Sequence, residues 1–80
     1  MIVVFLLLGS NLGDRKGYLQ KAIDLITTEL GTVAQESSIY ETEAWGKTDE
    51  PNYLNQVVQV NTTLPARQVL ETILQIETRM

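Results

Sequence analysis

Residues 53–62 alternate between apolar and polar or aromatic side chains, and this pattern constrains the fold more than any other stretch. In an extended strand successive side chains point to opposite faces. Leu54, Val58 and Val60 therefore share one face, while Tyr53, Asn55 and Val57 share the other. The first face calls for a helical layer over it. The second is expected to stay open, with an aromatic ring and a carboxamide two residues apart and side by side. A strand covered on one face only belongs to an antiparallel sheet.

The rest of the chain supplies the partners. Residues 2–8 are apolar throughout and rich in branched side chains, which predicts a central strand buried on both faces. No basic segment precedes them and no cleavage pattern follows, so they do not read as a signal peptide. They are also far too short to cross a bilayer as a helix. Gly9-Ser10-Asn11-Leu12-Gly13 then turns the chain into a helix over residues 14–30, with Leu19, Ala22, Ile23, Ile26 and Leu30 on one stripe. Asp14 suits the positive end of that helix, and Gly31 reads as a left-handed stop. A polar strand over residues 33–42, carrying Gln35, Glu36, Ser37 and Ser38, suits a sheet edge. Residues 43–52 read as a loop. A second helix begins near Pro65, behind Leu64, which is a poor cap. Its apolar side is Val69, Leu70, Ile73, Leu74, Ile76 and Met80.

The resulting order is strand-helix-strand-strand-helix. It predicts an α+β fold of the ferredoxin-like split βαβ kind, here βαββα with its final strand missing. The expected sheet is antiparallel, with two helices on one face. Residues 1–80 then form one incomplete domain, the front part of a larger one. The first strand would keep a bare edge, which favours a dimer or a strand-swapped oligomer.

Composition removes several kinds of chemistry. With no cysteine and no histidine, thiol nucleophiles, histidine bases and Cys/His zinc sites are excluded within these residues. A net charge of −4 with six basic residues argues against nucleic acid as a partner. The lack of cysteine agrees with a cytoplasmic setting, and nothing in the chain points to a membrane.

The candidate site lies where the loop enters the alternating strand. Thr42-Glu43-Ala44-Trp45-Gly46 offers backbone amides and carbonyls. Tyr53 could stack on a flat heterocycle or pack on a strand neighbour. Asn55 carries both a donor and an acceptor. Left unpaired in a buried strand, its amide would cost about 1–3 kcal/mol, so a partner is expected, either a ligand or nearby backbone. Trp45 reads equally as a ligand contact or as an anchor on the sheet. The glycine turn lacks the Lys-Ser/Thr of a phosphate loop, so a tight local turn is the simpler reading. Glu36, Glu41, Glu43, Asp49 and Glu50 read as solvated charges and do not have the spacing of a metal site.

Four segments in order resemble the N-terminal half of the 6-hydroxymethyl-7,8-dihydropterin pyrophosphokinases of folate biosynthesis. They are Gly9-Ser10-Asn11-Leu12-Gly13-Asp14, then Ser37-Ser38-Ile39-Tyr40-Glu41-Thr42-Glu43. Trp45-Gly46 leading into Pro51-Asn52-Tyr53-Leu54-Asn55-Gln56-Val57-Val58 is the third, and Leu70 through Ile76-Glu77 the fourth. Each is weak alone; together they span the whole chain. The resemblance implies an ATP-dependent diphosphotransferase that moves pyrophosphate to the hydroxymethyl oxygen of a reduced pterin and releases AMP, assisted by Mg2+. It implies pterin contacts from Thr42, Glu43, Trp45, Tyr53 and Asn55, with Asn11 in support, and nucleotide contacts from Leu70 and Glu77. Proline is common in the family where Ala44 stands, so this loop is expected to be less rigid. The family's magnesium-binding Asp pair and its phosphate-binding arginines have no counterpart in residues 1–80. No catalytic or metal residue is therefore expected in this chain, and alone it should be inactive. The rival expectation is a small βαββα binding or oligomerisation module without catalysis.

Overall fold

The computed structural model describes residues 1–43 and 51–80. Strand β1 (Ile2–Ser10) leads to helix α1 (Arg15–Glu29), strands β2 (Thr32–Glu36), β3 (Tyr40–Thr42) and β4 (Tyr53–Thr62), and helix α2 (Ala66–Arg79). β4 is the middle strand. β1 pairs with it along one side, and β2 and β3 pair with its two ends along the other. All three pairings are antiparallel. β1 and β2 thus run in the same direction with β4 between them, which is the split βαβ arrangement expected from the element order.

The polar stretch expected as a single strand is divided into β2 and β3. The register on β4 shifts between Val33 and Gln35, so a bulge at Ala34 bends the strand. Between the two pieces Ser37 keeps hold of β4. Its amide donates to the Val57 carbonyl and its hydroxyl accepts from the Val57 amide, both at 2.8 Å.

Both helices lie against one face of the sheet. Val58 and Val60 are fully buried there, beneath Ile23, Ile26 and Leu30 of the α1 segment and Val69 and Ile76 of α2. Val4, Leu6 and Leu8 complete the layer from β1. Nothing among the described residues covers the other face, which corrects the expectation that residues 2–8 are buried on both sides. Phe5 is 68% exposed and Leu7 67% exposed. An apolar run shows that a strand can be covered twice; it does not supply the second layer.

Two helix ends also depart from expectation. Gly31 is not left-handed: the positive-φ glycine among the described residues is Gly13, at 66°. A Cβ on Gly31 would stand 2.3 Å from the Asn61 carbonyl oxygen, so close approach to β4 is what requires glycine. Pro65 is the N-cap of α2 instead of its first helical residue, and it makes no side-chain cap bond. Asp14 caps α1 by accepting from the Gly17 amide at 3.1 Å. On α2, Leu70 and Leu74 face outward, leaving Val69 and Ile76 as its buried residues. Arg79 at the end of α2 pairs with Glu29 at the end of α1.

Candidate functional site

The open face of β4 is assembled by register. Gly9 of β1 sits opposite Asn55, and Asn55 in turn sits opposite Tyr40 of β3. Thr42 sits opposite Tyr53. Two segments far apart in sequence, the end of β1 and β3, therefore converge on the first three residues of β4. Tyr53 and Asn55 share this face, away from the helices, as the alternation requires. Leu54 between them is buried on the other side.

The carboxamide of Asn55 is oriented by its neighbours. Its nitrogen donates to Thr42 Oγ1 at 2.7 Å and to the Tyr40 carbonyl at 3.4 Å. A carbonyl can only accept, which fixes the nitrogen toward β3 and the oxygen toward β1. The oxygen lies 3.3 Å from the point where a Cβ on Gly9 would stand. This narrows the expectation that Asn55 offers both a donor and an acceptor. Its donors are engaged within the protein, and its oxygen is the group presented. The donor beside it is the Thr42 hydroxyl, whose oxygen accepts from Asn55 and whose hydrogen has no acceptor among the described residues.

Gly9 sets the floor. The same Cβ position lies 3.8 Å from Cδ1 of Tyr53, so any side chain there would fill the space between the phenol ring and the Asn55 oxygen. A flat molecule laid over Gly9 would meet an aromatic ring, a carbonyl-type acceptor and a hydroxyl donor together.

A cleft of about 620 Å³ opens beside this patch, along the end of β1 and under the helices. Asn11 and Tyr53 line it together with the apolar Leu8, Leu19 and Ile76. Tyr53 thus belongs to both the open-face patch and the cleft. Glu77 is on the cleft wall, whereas Leu70 does not line it and is 60% exposed. Glu43 is exposed just past β3. Trp45 falls outside the described residues. The structure therefore brings Thr42, Tyr53 and Asn55 together, sets Asn11 and Glu77 on an adjoining wall, and leaves Leu70 apart.

Sequence reasoning missed two features of the patch. One is Gly9, whose signal was a glycine at the end of an otherwise apolar strand. The other is the side-chain role of Thr42, which was expected to contribute backbone groups; only the strand register reveals it. Among the described residues no three acidic, histidine or cysteine side chains converge in a way that could hold a metal ion. No helix among them is long and apolar enough to cross a membrane.

Comparison with known proteins places the same residues in one family. Residues 5–80 match the model of the 7,8-dihydro-6-hydroxymethylpterin-pyrophosphokinase family. The 2-amino-4-hydroxy-6-hydroxymethyldihydropteridine pyrophosphokinase of Bacillus subtilis is 39% identical over 79 residues, covering 98% of this chain and 47% of the relative. The protein of the same name from Aquifex aeolicus is 39% identical over 77 residues, covering 96% of this chain and 48% of the relative. A mitochondrial folate synthesis bifunctional protein of Pisum sativum is 34% identical over 77 residues, which are 15% of its length. The chain spans about half the length of the first two.

Proposed function

Because this chain belongs to the 7,8-dihydro-6-hydroxymethylpterin-pyrophosphokinase family, we propose that it forms the pterin-binding part of an ATP-dependent diphosphotransferase of folate biosynthesis. The observation that carries this reading is the oriented Asn55 carboxamide beside Tyr53, above a residue with no side chain. A reduced pterin has a flat ring and an edge that alternates donors and acceptors. Tyr53 stacks on the ring. The Asn55 oxygen accepts from the edge and the Thr42 hydroxyl donates to it. Glu43 and Trp45 belong to the rim of the same site, and Asn11 to its β1 side.

ATP is the co-substrate, placed on the side of Glu77 and, by family resemblance, Leu70. Mg2+ would neutralise charge on the transferring phosphates. In this reading the chain's own contribution is to bind and orient the pterin. Pyrophosphoryl transfer depends on positioning and on cations, and this net-acidic chain by itself supplies only the first. It acts in the cytoplasm and alone forms no AMP above a metal-only control.

Titration with 6-hydroxymethyl-7,8-dihydropterin tests the reading. The chain as it stands should bind, and Asn55→Ala should bind at least tenfold more weakly, the loss of about one hydrogen bond. Equal binding by both would remove Asn55 from the site.

A second reading is favoured by one observation, the uncharged outer edge of β1. Nine residues from Ile2 to Ser10 carry no charge and no proline, the usual guards of an exposed edge. Paired antiparallel about Leu6, a second copy would set Phe5 against Leu7 and Val4 against Leu8, like face on like face. This self-complementary pairing makes the chain an oligomerisation module as well.

A further inference from the structure

Arg15 is the first residue of α1, yet its side chain reaches across to the rim of the candidate site. Its Nη1 donates to the Asn52 carbonyl at 2.8 Å and stands 3.6 Å from Oε2 of Glu41. The Asn52 carboxamide donates to that same Glu41 oxygen at 3.3 Å. Asn52 immediately precedes Tyr53, and Glu41 immediately precedes Thr42. Tyr53 and Thr42 are themselves opposite each other in the sheet. One guanidinium therefore fastens both chain ends from which the stacking ring and the hydroxyl donor project.

The position is costly to the helix. The N-terminal end of a helix carries partial positive charge and favours acidic groups, and beyond the capping Asp14 the first turn of α1 has none. A cation there is offset by that cap and by what it reaches. The ion pair with Glu41 is largely solvated, with the arginine side chain 31% exposed and the glutamate 54%, so it is the weaker part. The charge-assisted hydrogen bond to the Asn52 carbonyl is the stronger.

We propose that Arg15 is a positioning residue, which sets the spacing between Thr42 and Tyr53 and so the width of the ring-binding patch. Its consequence for affinity rests on the pterin reading above; its effect on the strand ends does not. Amide hydrogen exchange on the ligand-free chain and titration with 6-hydroxymethyl-7,8-dihydropterin are measured on the chain itself, Arg15→Ala and Arg67→Ala. Arg67 is an exposed arginine paired with Glu71 on α2, and its loss makes the same change in net charge.

Arg15→Ala should speed exchange at residues 41–43 and 53–55 while residues 57–61 keep their rates. It should weaken pterin binding about tenfold, as loss of one charged hydrogen bond does. Arg67→Ala should change neither. Unchanged exchange at the two strand ends in Arg15→Ala overturns the proposal whether or not pterin binds. An equal loss of affinity in Arg67→Ala also overturns it, since net charge would then be the cause. If the chain binds no pterin at all, the pterin reading falls, and accelerated exchange in Arg15→Ala still upholds the fastening.

Discussion

Gly9→Ala separates the fold from the site. Gly9 has ordinary backbone geometry, since positive φ among the described glycines belongs to Gly13. An alanine can therefore take its conformation without strain. Removing glycine from a strand stabilises by about 0.4–1 kcal/mol, through the unfolded chain. Against this, the new Cβ would lie 3.3 Å from the Asn55 oxygen and 3.8 Å from Cδ1 of Tyr53. The second distance is ordinary contact. The first is tight by a few tenths of an ångström, and a shift of the carboxamide that strains its bond to Thr42 costs about 1 kcal/mol. The two effects nearly cancel, so the urea midpoint should barely move. Binding should respond quite differently. The methyl group occupies the floor on which the ring lies, and overpacking there costs about 1–3 kcal/mol, a loss of roughly 5- to 150-fold in pterin affinity. Urea unfolding and dihydropterin titration on the same preparations provide both numbers. Unchanged affinity would refute the placement of the ring over Gly9. A collapse in stability would refute the claim that β1 has room for a methyl group there.

Two more outcomes follow from the same contacts. Gly31→Ala should destabilise the chain by about 2 kcal/mol or more in urea unfolding, because its Cβ would meet the Asn61 carbonyl at 2.3 Å and backbone must move. Leu7→Lys puts a charge on the exposed side of β1, where Leu7 is 67% accessible. Sedimentation should show the self-paired species replaced by monomer, while the unfolding free energy, compared at a dilution where both chains are monomeric, changes by less than about 0.5 kcal/mol. A dimer that persists would show that β1 is not the contact.

What the sequence disclosed and what it concealed have different physical origins. Alternation in residues 53–62 reports which side of a strand each residue occupies, so the shared face of Tyr53 and Asn55 was legible. The direction of the Asn55 amide was not, because it depends on which strand lies to each side. Gly9 on one side and Tyr40 on the other become neighbours only through register. Residues 2–8 misled because an apolar run records what a strand tolerates and not what lies over it. Gly31 was recognised as necessary for the wrong reason: the constraint is the approach of another strand, not a backbone angle. Arg15 carried no signal at all, since nothing in a helix's first residue predicts a carbonyl 37 positions later.

β4 follows β1, β2 and β3 in the chain, and it slots between β1 on one side and β2 and β3 on the other. Until it does so, Gly9, Thr42 and Asn55 have no reason to be near one another. Closing the sheet and bringing these three residues together are thus a single event. A pterin that binds acts only on the finished state, so each tenfold excess over its dissociation constant should add about 1.4 kcal/mol to the resistance of the whole sheet to unfolding.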